Sequence, residues 1–263
     1  MLIGRLMLVL SILINASIVQ AQPDQPPPAK VVKMTSLYWP PYAGSSLEAQ
    51  GANIAVATAA FKAVGVELEV TFFPWARTLG LARSSASEYS GYLPEYYDPK
   101  RAQEFYFSDE IGSGPLGFVT AHDDQFQWSG SSGLDWQALA SFRIGTVRGY
   151  VNTPEFDAAV ERGDIAVEAV ESDTRNLVKL LYRRLDAAVM DENVMRYLSR
   201  TEDGLKQHQA SFRMVQPYLD QKPLYACFKR TNVGKLWRDW FNEGLRRIDV
   251  QAVFNEALNS NLK

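Results

Sequence analysis

The stretch FRIGTVRGYVNTPEFDAAVERGDIAVEAV, residues 142–170, decides the fold. Phe142 to Val147 reads as a strand. Thr153-Pro154-Glu155 then opens a helix, with Thr as N-cap, Pro at the first helical position and an acid in the first turn. Phe156, Ala159 and Val160 supply its apolar face, Gly163 closes it, and Ile165 to Val170 reads as a second strand. Strand, helix, strand in this order requires a crossover, and hence a parallel sheet covered by helices.

The same alternation extends both ways. Downstream, Asp173 is read as the cap of the helix TRNLVKLLYRRL, followed by a strand at Asp186 to Met190 and a helix at Glu192 to Ser199. Upstream, Val31 to Leu37 is a strand ended by Tyr-Trp-Pro-Pro-Tyr, and Gly51 to Val64 is a helix. VELEVTF alternates Val66, Leu68, Val70 and Phe72 with polar residues, as a half-buried strand does. Trp75 to Ser84 reads as a short helix and Tyr89 to Leu93 as a short strand. Two such units predict two right-handed α/β lobes. A last strand at Leu224 to Phe228 and helices at Val233 to Arg247 and Asp249 to Ser260 carry an apolar stripe that a lobe must cover. Returning the chain to the first lobe needs two crossovers, near Gly112 to Gly117 and Gln216 to Pro223, and a two-strand hinge of this kind lets lobes open and close.

The N-terminus predicts export. A basic start at Met1 to Arg5, an apolar run from Leu6 to Val19 and small residues in Val19-Gln20-Ala21 form a cleavable signal over 1–21. That run is shorter than the roughly 20 residues a spanning helix needs. Residues 22–30 form a proline-rich lead expected to be extended and mobile. A net charge of −3 and the lack of a basic tract argue against nucleic-acid binding. The one cysteine, Cys227, sits in an apolar run and reads as buried and structural.

Ligands of open α/β sheets bind beyond the carboxyl ends of the strands. Four loops lie there. One holds Tyr38, Trp39 and Tyr42; another Glu95, Tyr96 and Arg101; a third Arg148, Tyr150, Asn152 and Thr153; the last Asp191. Trp75 and Arg77 follow the alternating strand. If the lobes face each other, these residues line a cleft of rings, a guanidinium, a helix N-terminus and a carboxylate.

In order and spacing, five segments resemble the bacterial extracellular solute-binding proteins of family 3, the polar amino acid type that serves ABC importers. They are YWPPY, FFPWARTL, DPKRAQEFYFSDE with Arg101 ahead of Phe107-Ser108-Asp109, FRIGTVRGYVNTPE, and RRLDAAVMDENV with the acids Asp186 and Asp191. The resemblance covers nearly all of the chain after the signal. It implies the type II periplasmic-binding-protein fold, with one lobe from 31–115 and 222–263 and the other from 116–221. It implies that Arg101 holds a ligand carboxylate and Asp191 an ammonium, that the amides near Tyr150 to Thr153 add hydrogen bonds, and that Tyr38, Trp39 or Tyr42 stacks on the ligand.

The chain departs from the family where a small, hydroxyl-rich segment ending in Thr usually precedes the Arg; here stand Pro94-Glu95-Tyr96-Tyr97-Asp98. Asp98 is placed to neutralise Arg101, and Glu95 and Asp98 favour a cationic ligand. Each site residue also has a purely structural reading. Arg101 could pair with Asp98 or Glu104, Asp191 could only cap its helix, Trp75 could be core, and Arg77 could be surface. The leading expectation is a monomeric periplasmic protein that clamps a small polar solute and delivers it to an inner-membrane permease, without a cofactor. The runner-up is a dehydratase-type enzyme using Glu95 as acid or base; against it, the chain has only His122 and His208 and no metal-ligand or nucleophile motif. A sensor that docks on a membrane receptor is the third class.

Overall fold

The computed structural model describes residues 23, 25–121, 126–130 and 136–263. The expected signal and His122 lie outside them. The first half runs β1 (Val31–Ser36), α1 (Ala52–Ala63), β2 (Glu67–Phe72), α2 (Trp75–Arg83), β3 (Gly91–Tyr96) and the short α3 (Pro99–Glu104). A long β4 (Phe105–Ala121) leads to β5 (Ile144–Val147), α4 (Pro154–Arg162), β6 (Val167–Val170), α5 (Asp173–Leu181), β7 (Ala187–Asp191), α6 (Glu192–Thr201) and β8 (Phe212–Met214). The chain closes with β9 (Asp220–Lys229), α7 (Asn232–Arg246) and α8 (Val250–Leu262). Among the described residues no helix is long and apolar enough to cross a membrane.

The strand order is β2-β1-β3-β9-β4-β7-β5-β6, with β8 beside β4. β1 lies parallel to β2 and β3, and β5 parallel to β6 and β7. The two parallel triplets are joined through β4 and β9, which pair antiparallel from Phe105↔Lys229 to Leu116↔Asp220. Register shifts between Phe107 and Glu110, and between Glu110 and Ser113, interrupt this ladder. Two interrupted strands bend more easily than a full sheet, so the fold has two lobes on a two-strand hinge.

Some elements differ from the sequence reading. β5 begins at Ile144 because the amide of Arg143 is taken by the Asp186 carboxylate at 2.7 Å instead of a neighbouring strand. β6 is likewise shorter than expected and begins at Val167. β3 runs on through Pro94 to Tyr96; its pairing with β9 shifts between Tyr92 and Glu95, where a residue without N–H is tolerated. The cap of α5 is Ser172, whose hydroxyl accepts from Arg175 N at 3.4 Å, and Asp173 is the first helical residue. The proline-rich lead is not wholly free: Trp240 Nε1 on α7 donates to Gln25 O at 2.8 Å.

The first lobe is packed by α1 and α7 on the sheet. Phe61 lies 4.8 Å from Phe241 and 6.1 Å from Trp237, ring to ring. In the second lobe Phe118 meets Phe126 and Trp128 at 5.0 Å each. Cys227 is buried and free, as its apolar run suggests.

Candidate functional site

The carboxyl ends of β1, β3, β5, β6 and β7 converge between the lobes. The loop after β1 is held by the start of α1, where Ala52 N donates to Pro41 O and Asn53 N to Tyr42 O, each at 3.0 Å. These otherwise orphaned helix amides fix Trp39 and Tyr42. Tyr42 is fully buried, its ring 4.6 Å from Trp39. Its hydroxyl lies 3.0 Å from both oxygens of Asp191, so it donates across the lobes, and it accepts from Asn193 Nδ2 at 2.9 Å. Tyr96 OH reaches Asp191 Oδ2 at 3.3 Å.

Asp191 is both helix cap and cleft acid. It accepts from Asn193 N at 2.8 Å and Val194 N at 3.2 Å at the start of α6. Burial pushes its pKa up to about 7, against the pull of those amides and the tyrosine hydroxyls. The hinge strand brings it there: Leu116 on β4 pairs with Asp191, and Gly114 leaves the space the acid occupies. A Cβ on Gly114 would lie 2.0 Å from Asp191 Oδ2 and 2.1 Å from Tyr42 OH.

Two further acids are buried. Glu95 accepts from Tyr92 OH at 2.9 Å and Tyr96 N at 3.0 Å. Burial raises its pKa to about 7, opposed chiefly by Arg101. Asp173 is 5% exposed and sits with Trp39 and Tyr150; burial raises it to about 7, while hydrogen bonding from those two rings opposes the shift. Sequence reasoning missed Asp173 by reading it as a cap. It follows a strand's carboxyl end just as Asp191 does, and that shared position was the available signal.

Arg101 is corrected most. Its guanidinium is engaged by Glu95, with Nε 3.1 Å from Oε2, and more distantly by Glu104 at 3.8 Å. The Nε–H is misaligned, so the Glu95 contact is an ion pair without a formed hydrogen bond. Asp98 bonds the backbone N of Arg101 at 2.8 Å as cap of α3; it does not take the guanidinium. Arg101 lines a 360 Å³ hollow with Asp98, Lys100, Tyr150 and Asp157, whereas Asp191 is sealed under Tyr42 and Tyr96. The expected facing of Arg101 and Asp191 across one cavity is not what the structure has.

Between the lobes lies a cavity of about 30 Å³, with Trp39, Trp75, Tyr96 and Tyr150 as its rings and Glu95 as its charged group; Leu37, Pro94, Val151 and Leu224 complete it. Trp39 meets Tyr96 at 5.7 Å and Tyr150 at 6.4 Å, and Trp75 meets Tyr150 at 5.9 Å, all edge to face. Trp75 Nε1 donates to Gly149 O at 3.1 Å, a further bond between lobes, so Trp75 belongs to the cleft. A hollow of 420 Å³, which also reaches Tyr150, is walled by Tyr38, Phe72, Phe73 and Pro74.

Other expected site residues lie elsewhere. Tyr38 is half exposed and donates to Glu202 at 3.3 Å, so it lines the outer hollow and not the cavity. Arg77 is exposed and stacks on Phe73, 4.8 Å from the ring centre. Arg148 points outward to Ala169 O and Glu171. Asn152 is spent on Asp157, through Nδ2 at 2.8 Å and N at 3.0 Å, and Thr153 caps α4. In each case the local backbone or a near neighbour claims the polar group before the cleft can. Among the described residues no group of three or more His, Cys, Asp or Glu is placed to hold a metal ion.

No protein-family model matches the chain, and no curated protein matches it in sequence. Solved structures match it in shape. The amino acid ABC transporter substrate-binding protein AbpA of Streptococcus pneumoniae, bound to L-arginine, superposes with a TM-score of 0.68 at 12% identity, over 89% of this chain and 97% of that one. The GluR0 ligand-binding core of Nostoc punctiforme, in complex with L-glutamate, gives 0.66 at 16% over 86% and 96%. The periplasmic VFT2 domain of Bordetella pertussis BvgS gives 0.66 at 16% over 86% and 93%. At such identities the likeness shows the fold: the chain has the two-lobed α/β architecture of periplasmic binding proteins.

Proposed function

We propose that this chain is a solute-binding protein of the family 3 type, exported to the periplasm by residues 1–21, which closes its lobes on a small polar molecule and hands it to an inner-membrane ABC permease. The lobes would be 31–115 with 222–263, and 116–221, and the protein would act as a monomer without catalysing a reaction. The observation that carries this reading is the ring-lined cavity with Glu95 at the convergence of strand ends between two lobes. Hydrogen bonds from Tyr42 and Tyr96 to Asp191, and from Trp75 to Gly149, bridge the lobes as a closed clamp requires. The solved relatives that bind arginine or glutamate support it by shape alone.

Ligand binding to the native state raises Tm by mass action. A thermal-shift screen of amino acids, amines and small acids at millimolar concentration should yield at least one class that stabilises the protein. It should also change the emission of Trp39 and Trp75. No shift and no fluorescence change across the whole screen would sink the proposal.

A further inference from the structure

The cleft holds more buried acid than buried base. Glu95, Asp173 and Asp191 are all at most 5% exposed. Glu95 has Arg101 as its counter-ion. Asp191 and Asp173 have none among the described residues: the first is met by hydroxyls and amides, the second by an indole and a phenol. The nearby buried amine, Lys222, lies over the ring of Tyr96 at 5.3 Å and is attracted by Asp220, Asp157, Glu95 and Asp98 without an ion-pair contact to any of them. Buried carboxylates without a cation are costly, and the cost falls when one arrives. The cavity beside them presents four aromatic rings, whose faces attract cations. The arginine that would take a ligand carboxylate is already neutralised within its own lobe.

Taking the solute-binding reading as given, we propose that the ligand is a small alkylammonium ion carrying no carboxylate, its head caged by Trp39, Trp75, Tyr96 and Tyr150, with its charge offset by Glu95 in the cavity wall and by Asp173 behind Trp39 and Tyr150. A space of about 30 Å³ takes a headgroup of a few heavy atoms. The remainder of the molecule extends past Tyr150 into one of the two adjoining hollows.

The test is calorimetric and fluorimetric titration of the purified full chain, at matched ionic strength and pH 8, with tetramethylammonium, 1,4-diaminobutane, L-glutamate and L-arginine. At least one of the two plain amines should bind and alter tryptophan emission, and should bind more tightly than either amino acid. Asp173→Asn should weaken amine binding at least tenfold, and Trp75→Leu should do likewise. The second variant changes a half-buried ring and guards against misfolding of the first. Thermal unfolding must show that each variant is folded. Binding of either amino acid with no binding of the plain amines would overturn this inference and leave the solute-binding reading intact. Binding of an amine unaffected by both folded variants would also overturn it. Silence with all four probes and with the broader screen would overturn both.

Discussion

Replacing Tyr42 with Phe removes one oxygen and keeps the ring against Trp39 and Phe254. That oxygen donates to Asp191 and accepts from Asn193 Nδ2. A hydrogen bond to a charged group contributes roughly 2 kcal/mol and a neutral one about 1 kcal/mol, so the substitution should cost about 3 kcal/mol. Asp191 keeps the two α6 amides and Tyr96, which prevents the full penalty of a stranded charge. If the whole cost opposed unfolding, Tm would fall by about 6–12 °C for a chain of this size. The bond crosses the lobes, however, and hinged lobes can part without unfolding. Most of the cost should therefore appear as a shift of about 150-fold toward the open form. The assay is small-angle scattering alongside thermal unfolding at pH 8, where Asp191 is ionised. The variant should show a larger radius of gyration than the parent and a Tm loss well below 6 °C. An unchanged radius together with an unchanged Tm would refute the claim that this bond holds the lobes closed.

Gly114→Ala should act on the same contact from the hinge, because its Cβ would meet Asp191 Oδ2 at 2.0 Å and Tyr42 OH at 2.1 Å; the radius of gyration should rise and ligand affinity fall at least tenfold. Phe61→Ala should destabilise the first lobe by about 3–5 kcal/mol in urea unfolding, since Phe61 is wholly buried against Phe241, Phe228 and Trp237. The three buried acids set a pH dependence. Their pKa values of about 7 in the fold exceed the unfolded values near 4, so between those limits the native state holds more protons and stability falls as pH rises. Scanning fluorimetry without ligand should show Tm declining from pH 5 to pH 7.5 and levelling beyond. Asp186, held low by hydrogen bonding and charge from Arg143, works in the opposite sense, but only below about pH 4, outside this range. A Tm that climbs over that range would contradict the assignment of the acids.

Much of the architecture was legible in the sequence because helix and strand periods are local properties. Val66 to Phe72 alternates and forms β2, and Thr153-Pro154-Glu155 caps α4 as its residue types require. The repeated strand-helix order led to parallel triplets, and the apolar stripe of the last helices led them back to the first lobe. The loops that gather Trp39, Tyr42, Glu95, Tyr96, Tyr150 and Asp191 were also found, because strand order alone places strand ends at the cleft.

The sequence by itself determined the periods, the caps and the set of loops at the strand ends, since each depends on neighbours along the chain. Only the tertiary structure decided which charge meets which. Arg101 had acids within reach on its own helix, yet it pairs most closely with Glu95 on β3. Asp173 looked like a cap until the packing of α5 turned it toward Trp39 and Tyr150. Coulomb interactions and desolvation depend on distance and burial in space, and a linear order of residues carries neither.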